Sequence, residues 1–194
     1  SSLAKHGFTH ADITDVFLTH LHFDHCGGSI VRDGDQLVPA FPNATYWSNK
    51  AHWDSATEPN EREKASFLKE NILPIQESGK LQWVEVADGE EWLPGIRIRY
   101  VQGHTDNMML PQIDYNGQTV FFCADLIPST AHISMPWVMA YDMRPLDTLN
   151  EKRTILKEAA DNNWILFFEH DARTEACTLI NDNGRIKMGE VVSI

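Results

Sequence analysis

The segment His20-Leu21-His22-Phe23-Asp24-His25 places three imidazoles and a carboxylate within six positions, just after the apolar run Val16-Phe17-Leu18. With only 9 histidines in 194 residues, such crowding is not a product of composition. Side chains two apart on extended backbone point the same way, so His20 and His22 can present two neutral nitrogens to one cation. Asp24 and His25 fall on the following turn, within reach of a second ion. Without a cation, four such groups held together would be electrostatically costly. The fold must therefore carry a strand to a rim where further ligands collect.

Those ligands are expected at later strand ends. Gly103-His104-Thr105 follows the predicted strand Ile96 to Val101, Asp125 follows Thr119 to Cys123, and His170 follows Trp164 to Phe168. Rims of open α/β sheets are where functional side chains gather. A lone histidine after a strand is more often structural, and it is the upstream cluster that raises these three to ligands.

Composition narrows the class. At about 150 residues per domain, 194 residues make one domain spanning 1–194. A hydrophobic fraction of 42% against 23% charged residues excludes disorder, and no apolar run approaches the roughly 18 residues of a membrane helix. A formal charge of -12 argues against nucleic acid. Cys26, Cys123 and Cys177 form no CxxC pair and read as packed thiols rather than a disulfide framework. The chain opens Ser1-Ser2-Leu3 without an initiator methionine or a basic, apolar leader, the mark of a trimmed start.

Periodicity predicts a mixed α/β order. Ser2 to His6 reads as a helix end stopped by Gly7, and Asp12 to Thr19 turns into a strand. A strand at Thr45 to Trp47 and helices at Asn49 to Ala56 and Glu61 to Gln76 come next, the second interrupted or ended near Pro74. Leu81 to Val86, Ile96 to Val101 and Thr119 to Cys123 read as a run of antiparallel strands, with a hairpin turn at Asn116-Gly117. A helix over Leu146 to Asp161, the strand Trp164 to Phe168 and a hairpin at Asn183-Gly184 complete the chain.

The order HxHxDH, then GHT, then an Asp after a strand, then a last His resembles the metallo-β-lactamase superfamily. Phe41-Pro42-Asn43-Ala44, Pro59-Asn60-Glu61-Arg62 and Phe168-Glu169-His170-Asp171 further resemble its bacterial lactonase and organophosphate-hydrolase branch. The resemblance implies an αββα sandwich. It also implies that His20, His22 and His104 hold one metal, that Asp24, His25 and His170 hold the other, and that Asp125 bridges them. Two departures stand out. GHT continues Asp106-Asn107-Met108 where the family has Pro-Gly-His, and the family's strands upstream of HxHxDH have no room before residue 12, so the sandwich is expected to be N-terminally truncated.

The chemistry implied by the resemblance is that of a dinuclear hydrolase using a bridging hydroxide to open a lactone, ester or phosphotriester of a small molecule, with Asp24 passing a proton to the leaving group. Nitrogen and oxygen ligands suit zinc by default, with manganese, cobalt or iron compatible. His22 stands where flavodiiron relatives carry Glu, and Asp125 separates the chain from dedicated β-lactamases. Two alternatives remain: a mononuclear iron persulfide dioxygenase, which keeps the HxHxDH letters, and a non-catalytic metal-binding fragment. Leu126, Ile127, His132, Trp137 and Tyr141, downstream of Asp125, are candidates for an apolar substrate pocket, with ordinary core packing as the competing reading. The six tryptophans are of the kind that anchors a homodimer surface. The branch implies a bacterial, cytoplasmic protein.

Overall fold

In the computed structural model, which describes residues 2–194, helix α1 (Ser2–Lys5) is followed by a turn in which Gly7 takes φ +82°, a conformation that favours glycine. Contacts divide the chain into two compact units that meet in sequence at Glu85 and Val86.

In the first unit, β1 (Asp15–Phe17) leads into α2 (Phe23–Cys26), then the hairpin β2 (Ile30–Asp33) and β3 (Gln36–Pro39), then β4 (Thr45–Ser48), α3 (Lys50–Thr57), α4 (Lys69–Glu77) and β5 (Leu81–Trp83). Strands β1, β4 and β5 form a parallel sheet with β4 central. Asn49 caps α3, its side chain accepting from the His52 N–H at 2.8 Å. The core is built from Leu18, Leu21, Tyr46, Trp53, Ile72 and Ile75, with Cys26 buried among them.

Two expectations for this unit are corrected. Leu81 to Val86 is not part of an antiparallel run: only Leu81–Trp83 is strand, and it lies parallel to β4. The predicted helix from Glu61 shortens to Lys69–Glu77, because the Asn60 carbonyl oxygen Oδ1 accepts from the Arg62 and Glu63 N–H groups at 2.9 and 3.1 Å and closes a local turn instead. Pro74 lies inside α4, which ends three residues later at Glu77, and it is buried with Ile72 and Ile75. The β2–β3 hairpin carries only the signal Asp33-Gly34, with Gly34 at φ +59°.

The second unit is one sheet of seven strands with helix α5 (Pro145–Asp161). Its strands are β6 (Glu91–Leu93), β7 (Ile96–Val101), β8 (Met108–Tyr115), β9 (Gln118–Phe122), β10 (Ile165–Phe167), β11 (Ala176–Asp182) and β12 (Arg185–Val192), ordered β12-β11-β10-β9-β8-β7-β6. Both expected Asn-Gly turns form, with Asn116, Gly117, Asn183 and Gly184 all at positive φ. Helix α5 buries Ile155, Leu156 and Ala159 in a core shared with Leu110, Phe121, Trp164 and Leu166, at about 1.5–3 kcal/mol for each large side chain. Strand β8 is not announced by the sequence pattern; Pro111 hides it, and its opening Met108-Met109-Leu110 is wholly buried and so shows no alternation.

Strand direction decides the rim. Strands β7 and β9 both run antiparallel to β8 between them, and β10 runs parallel to β9. The C-terminal ends of β7, β9 and β10 therefore lie on one edge of the sheet, and His104, Asp125 and His170 come just after those ends.

Candidate metal centre

In the first unit, β1 ends where the chain turns through Leu18 and Thr19 into the motif. The His20 ring centroid lies 4.7 Å from that of His22 and 3.9 Å from that of His25. Ligand atoms of His20 and His22 lie within 4.8 Å of one another, as the two-residue spacing predicts. His20 is buried, with Nδ1 3.2 Å from the Thr19 hydroxyl. The motif's backbone is fixed by His52, whose Nε2 accepts the Leu21 N–H at 2.9 Å. His22 Nε2 lies 3.7 Å from Glu63, whose other oxygen accepts from Asn60 at 2.7 Å. Asp24 is half-exposed and lies 3.6 Å from His25 Nε2.

In the second unit, Asp125 is the hub. Its carboxylate lies 3.0 Å from His104 Nε2 through one oxygen and 3.3 Å from His170 Nε2 through the other. Asp125 and His104 are buried, while His170 is partly exposed. The opposite nitrogen of His104, Nδ1, is 3.0 Å from buried Asp142. Burial works against the charged form of His104, but hydrogen bonds from Asp125 and Asp142 overcome it and raise the pKa to about 9.

The loop carrying His104 is held by α5 and the residue before it. Glu151 accepts from the Gln102 and Gly103 N–H groups at 2.6 and 3.1 Å, and the Arg144 N–H donates to the Gly103 carbonyl at 2.8 Å. Arg144 also bonds Asp106 at 2.6 Å, so the departure from Pro-Gly-His is filled by an ion pair. A Cβ on Gly103 would meet the Thr148 backbone nitrogen at 2.3 Å. Beside His170, Asp171 accepts from both the N–H and hydroxyl of Thr130, at 2.9 and 2.7 Å.

Each set thus pairs imidazoles with carboxylates, and each of His20, His22 and His104 has one ring nitrogen beside an outer polar group, the arrangement that orients histidine ligands toward a metal. The donor set is chemically fit for divalent cations. The outer partners Asp142, Glu63 and His52 escaped sequence reasoning, since nothing in their spacing ties them to the histidines.

Of the pocket candidates, His132 and Trp137 stand together, their ring centroids 6.5 Å apart. Leu126 and Ile127 lie in the core of the second unit, and His132 is half-buried with Nδ1 2.8 Å from the Ser129 hydroxyl. Trp137 and Tyr141 are exposed, and the Tyr141 ring centroid is 6.1 Å from that of His104. Among the described residues no helix is long and apolar enough to cross a membrane.

Comparison with known proteins adds a family. The sequence model of the Metallo-beta-lactamase superfamily matches residues 1–170. An N-acyl homoserine lactonase of Bacillus cereus is 25% identical over 177 residues, covering 89% of this chain and 62% of the relative. A probable metal-dependent hydrolase from Staphylococcus aureus superposes with a TM-score of 0.83 at 28% identity, over 98% of this chain and 68% of that one. A dizinc quorum-quenching lactonase, solved in complex with a product, also gives a TM-score of 0.83, at 23% identity over 100% of this chain and 69% of that one, a likeness of fold. The chain spans 62% of the length of the curated relatives it matches first.

Proposed function

Because the chain belongs to the metallo-β-lactamase superfamily, we propose that it acts with its two units as one domain, a metal-dependent hydrolase that opens the lactone ring of an N-acyl homoserine lactone or a related small ester. The observation that carries this reading is Asp125, a single buried carboxylate set between His104 and His170, the three lying just after the ends of β9, β7 and β10 respectively. A carboxylate shared by two imidazoles is what a pair of cations needs as its bridge.

We assign His20, His22 and His104 to one divalent cation and Asp24, His25 and His170 to the other, with Asp125 shared and zinc as the metal. When bound, such a pair would lower the pKa of water from 15.7 to about 7, so that hydroxide is available at neutral pH, and would polarise the oxygen of the group attacked. The chain's own residues do the rest. Asp142 keeps the His104 ring in one orientation, and Glu63 stands beside Nε2 of His22. Asp24, whose side chain is 44% exposed, would take up the proton released by the attacking water and pass it to the leaving alkoxide. Trp137 and Tyr141 offer apolar surface to an acyl chain. A cytoplasmic location accords with relatives whose substrates are small molecules.

Parallel assays of the zinc-loaded protein with a lactone, an organophosphate triester and a β-lactam test the reading. Lactone opening should exceed the other two and vanish on chelation. Oxygen consumption with a persulfide by an iron-loaded protein, or activity that survives full metal removal, would overturn it.

A further inference from the structure

A cavity in the second unit contains none of the proposed ligands. It has a volume of about 660 Å³ and lies between α5, the β11–β12 hairpin and residues 130–136. That volume falls within the range of small-molecule sites. Its floor is apolar, with Ile133, Met135, Leu156 and Met188. Four cations, Arg153, Lys157, Arg185 and Lys187, line it, and among the described residues no acid does. Asp161 and Asp182 stand outside the lining and pair with Lys157 and Lys187, which leaves a net positive rim on a chain of net charge -12.

One wall is built rather than draped. Thr130 is tied to Asp171 by two hydrogen bonds, and the buried Lys152 ammonium donates to the carbonyls of Ser134 and Trp137 at 3.1 and 2.6 Å. The cavity is therefore shaped before any ligand enters, which limits the ordering cost of binding.

We propose that this cavity binds an acyl chain ending in a carboxylate, the chain lying on the methionine and aliphatic floor and the anion meeting Arg153 and Arg185. Cationic side chains around apolar surface, on an otherwise acidic protein, select an amphipathic anion over a neutral lipid or a bare ion. A free fatty carboxylate and a ring-opened N-acyl amino acid share this chemistry.

Isothermal titration of the full chain, zinc-loaded and chelated, with decanoate, N-decanoyl-homoserine and decanol tests the proposal. Saturable 1:1 binding of at least one carboxylate is expected, equal in both metal states, with decanol weaker by about tenfold or more. The tighter carboxylate identifies the source. Arg153→Glu with Arg185→Glu should weaken binding at least about tenfold, whereas Arg153→Lys with Arg185→Lys should retain most of it, thermal melting confirming that both variants are folded. No saturable binding, equal binding of decanol, binding lost on chelation, or indifference to the charge reversal would each overturn it.

Discussion

His104 Nδ1 lies 3.0 Å from Asp142 Oδ1, and both side chains are fully buried. A carboxylate at that distance fixes which ring nitrogen carries the proton and raises the basicity of the other. Asp142→Ala should therefore weaken metal retention about 10–100-fold in competition with a chelator. Loss of activity with unchanged metal affinity would show that Asp142 does not act through His104.

Gly103 sits against the first turn of α5. A Cβ there would come within 2.3 Å of the Thr148 nitrogen and 2.6 Å of its Cα. Gly103→Ala should cost about 1–3 kcal/mol in urea denaturation. Thr148→Ala should not rescue it, because the obstruction includes backbone; full rescue would mean that the side chain alone was in the way.

Lys152 is wholly buried, with its ammonium among backbone carbonyls. Lys152→Met should destabilise the fold by about 1–3 kcal/mol at pH 7, since it strips those carbonyls of their donor. Burial pushes the Lys152 pKa down from 10.5 to about 8. The unfolded chain then binds more protons than the folded one between those values, so the burial cost is complete below pH 8 and is relieved as pH rises toward 10.5. Wild type should gain on Lys152→Met across that window, as read by paired denaturation curves at about pH 7.5 and 10; a gap that narrows would reverse the sign.

All three cysteines are free and buried, and burial pushes Cys177 up to about 11. None should react with a thiol reagent at about pH 8 until denaturant is added, when three equivalents should appear. A fast-reacting thiol in the native protein would contradict the packing.

The features legible in the sequence are local. The histidine motif, the Asn-Gly turns and the apolar face of α5 are each written within a few residues, and each appears in the structure. Strand β8 is illegible because its opening Met108-Met109-Leu110 is buried without alternation and Pro111 interrupts it. The helix expected from Glu61 failed because Asn60 offered the backbone a closer partner. The tie between His104 and Asp142 spans 38 positions, and only the fold, by laying the α5 approach against the end of β7, makes it. Strand-end spacing puts His104, Asp125 and His170 on one edge of the sheet because β7, β9 and β10 share one direction.

The hydrolase reading stands or falls on whether seven side chains hold a pair of cations. Metal content, measured by mass spectrometry on protein loaded with zinc and freed of excess, decides it without reference to any substrate. Two zinc ions per chain are expected, with Asp125→Ala losing at least one. A single ion that survives Asp125→Ala, or none retained at all, would rule the pair out.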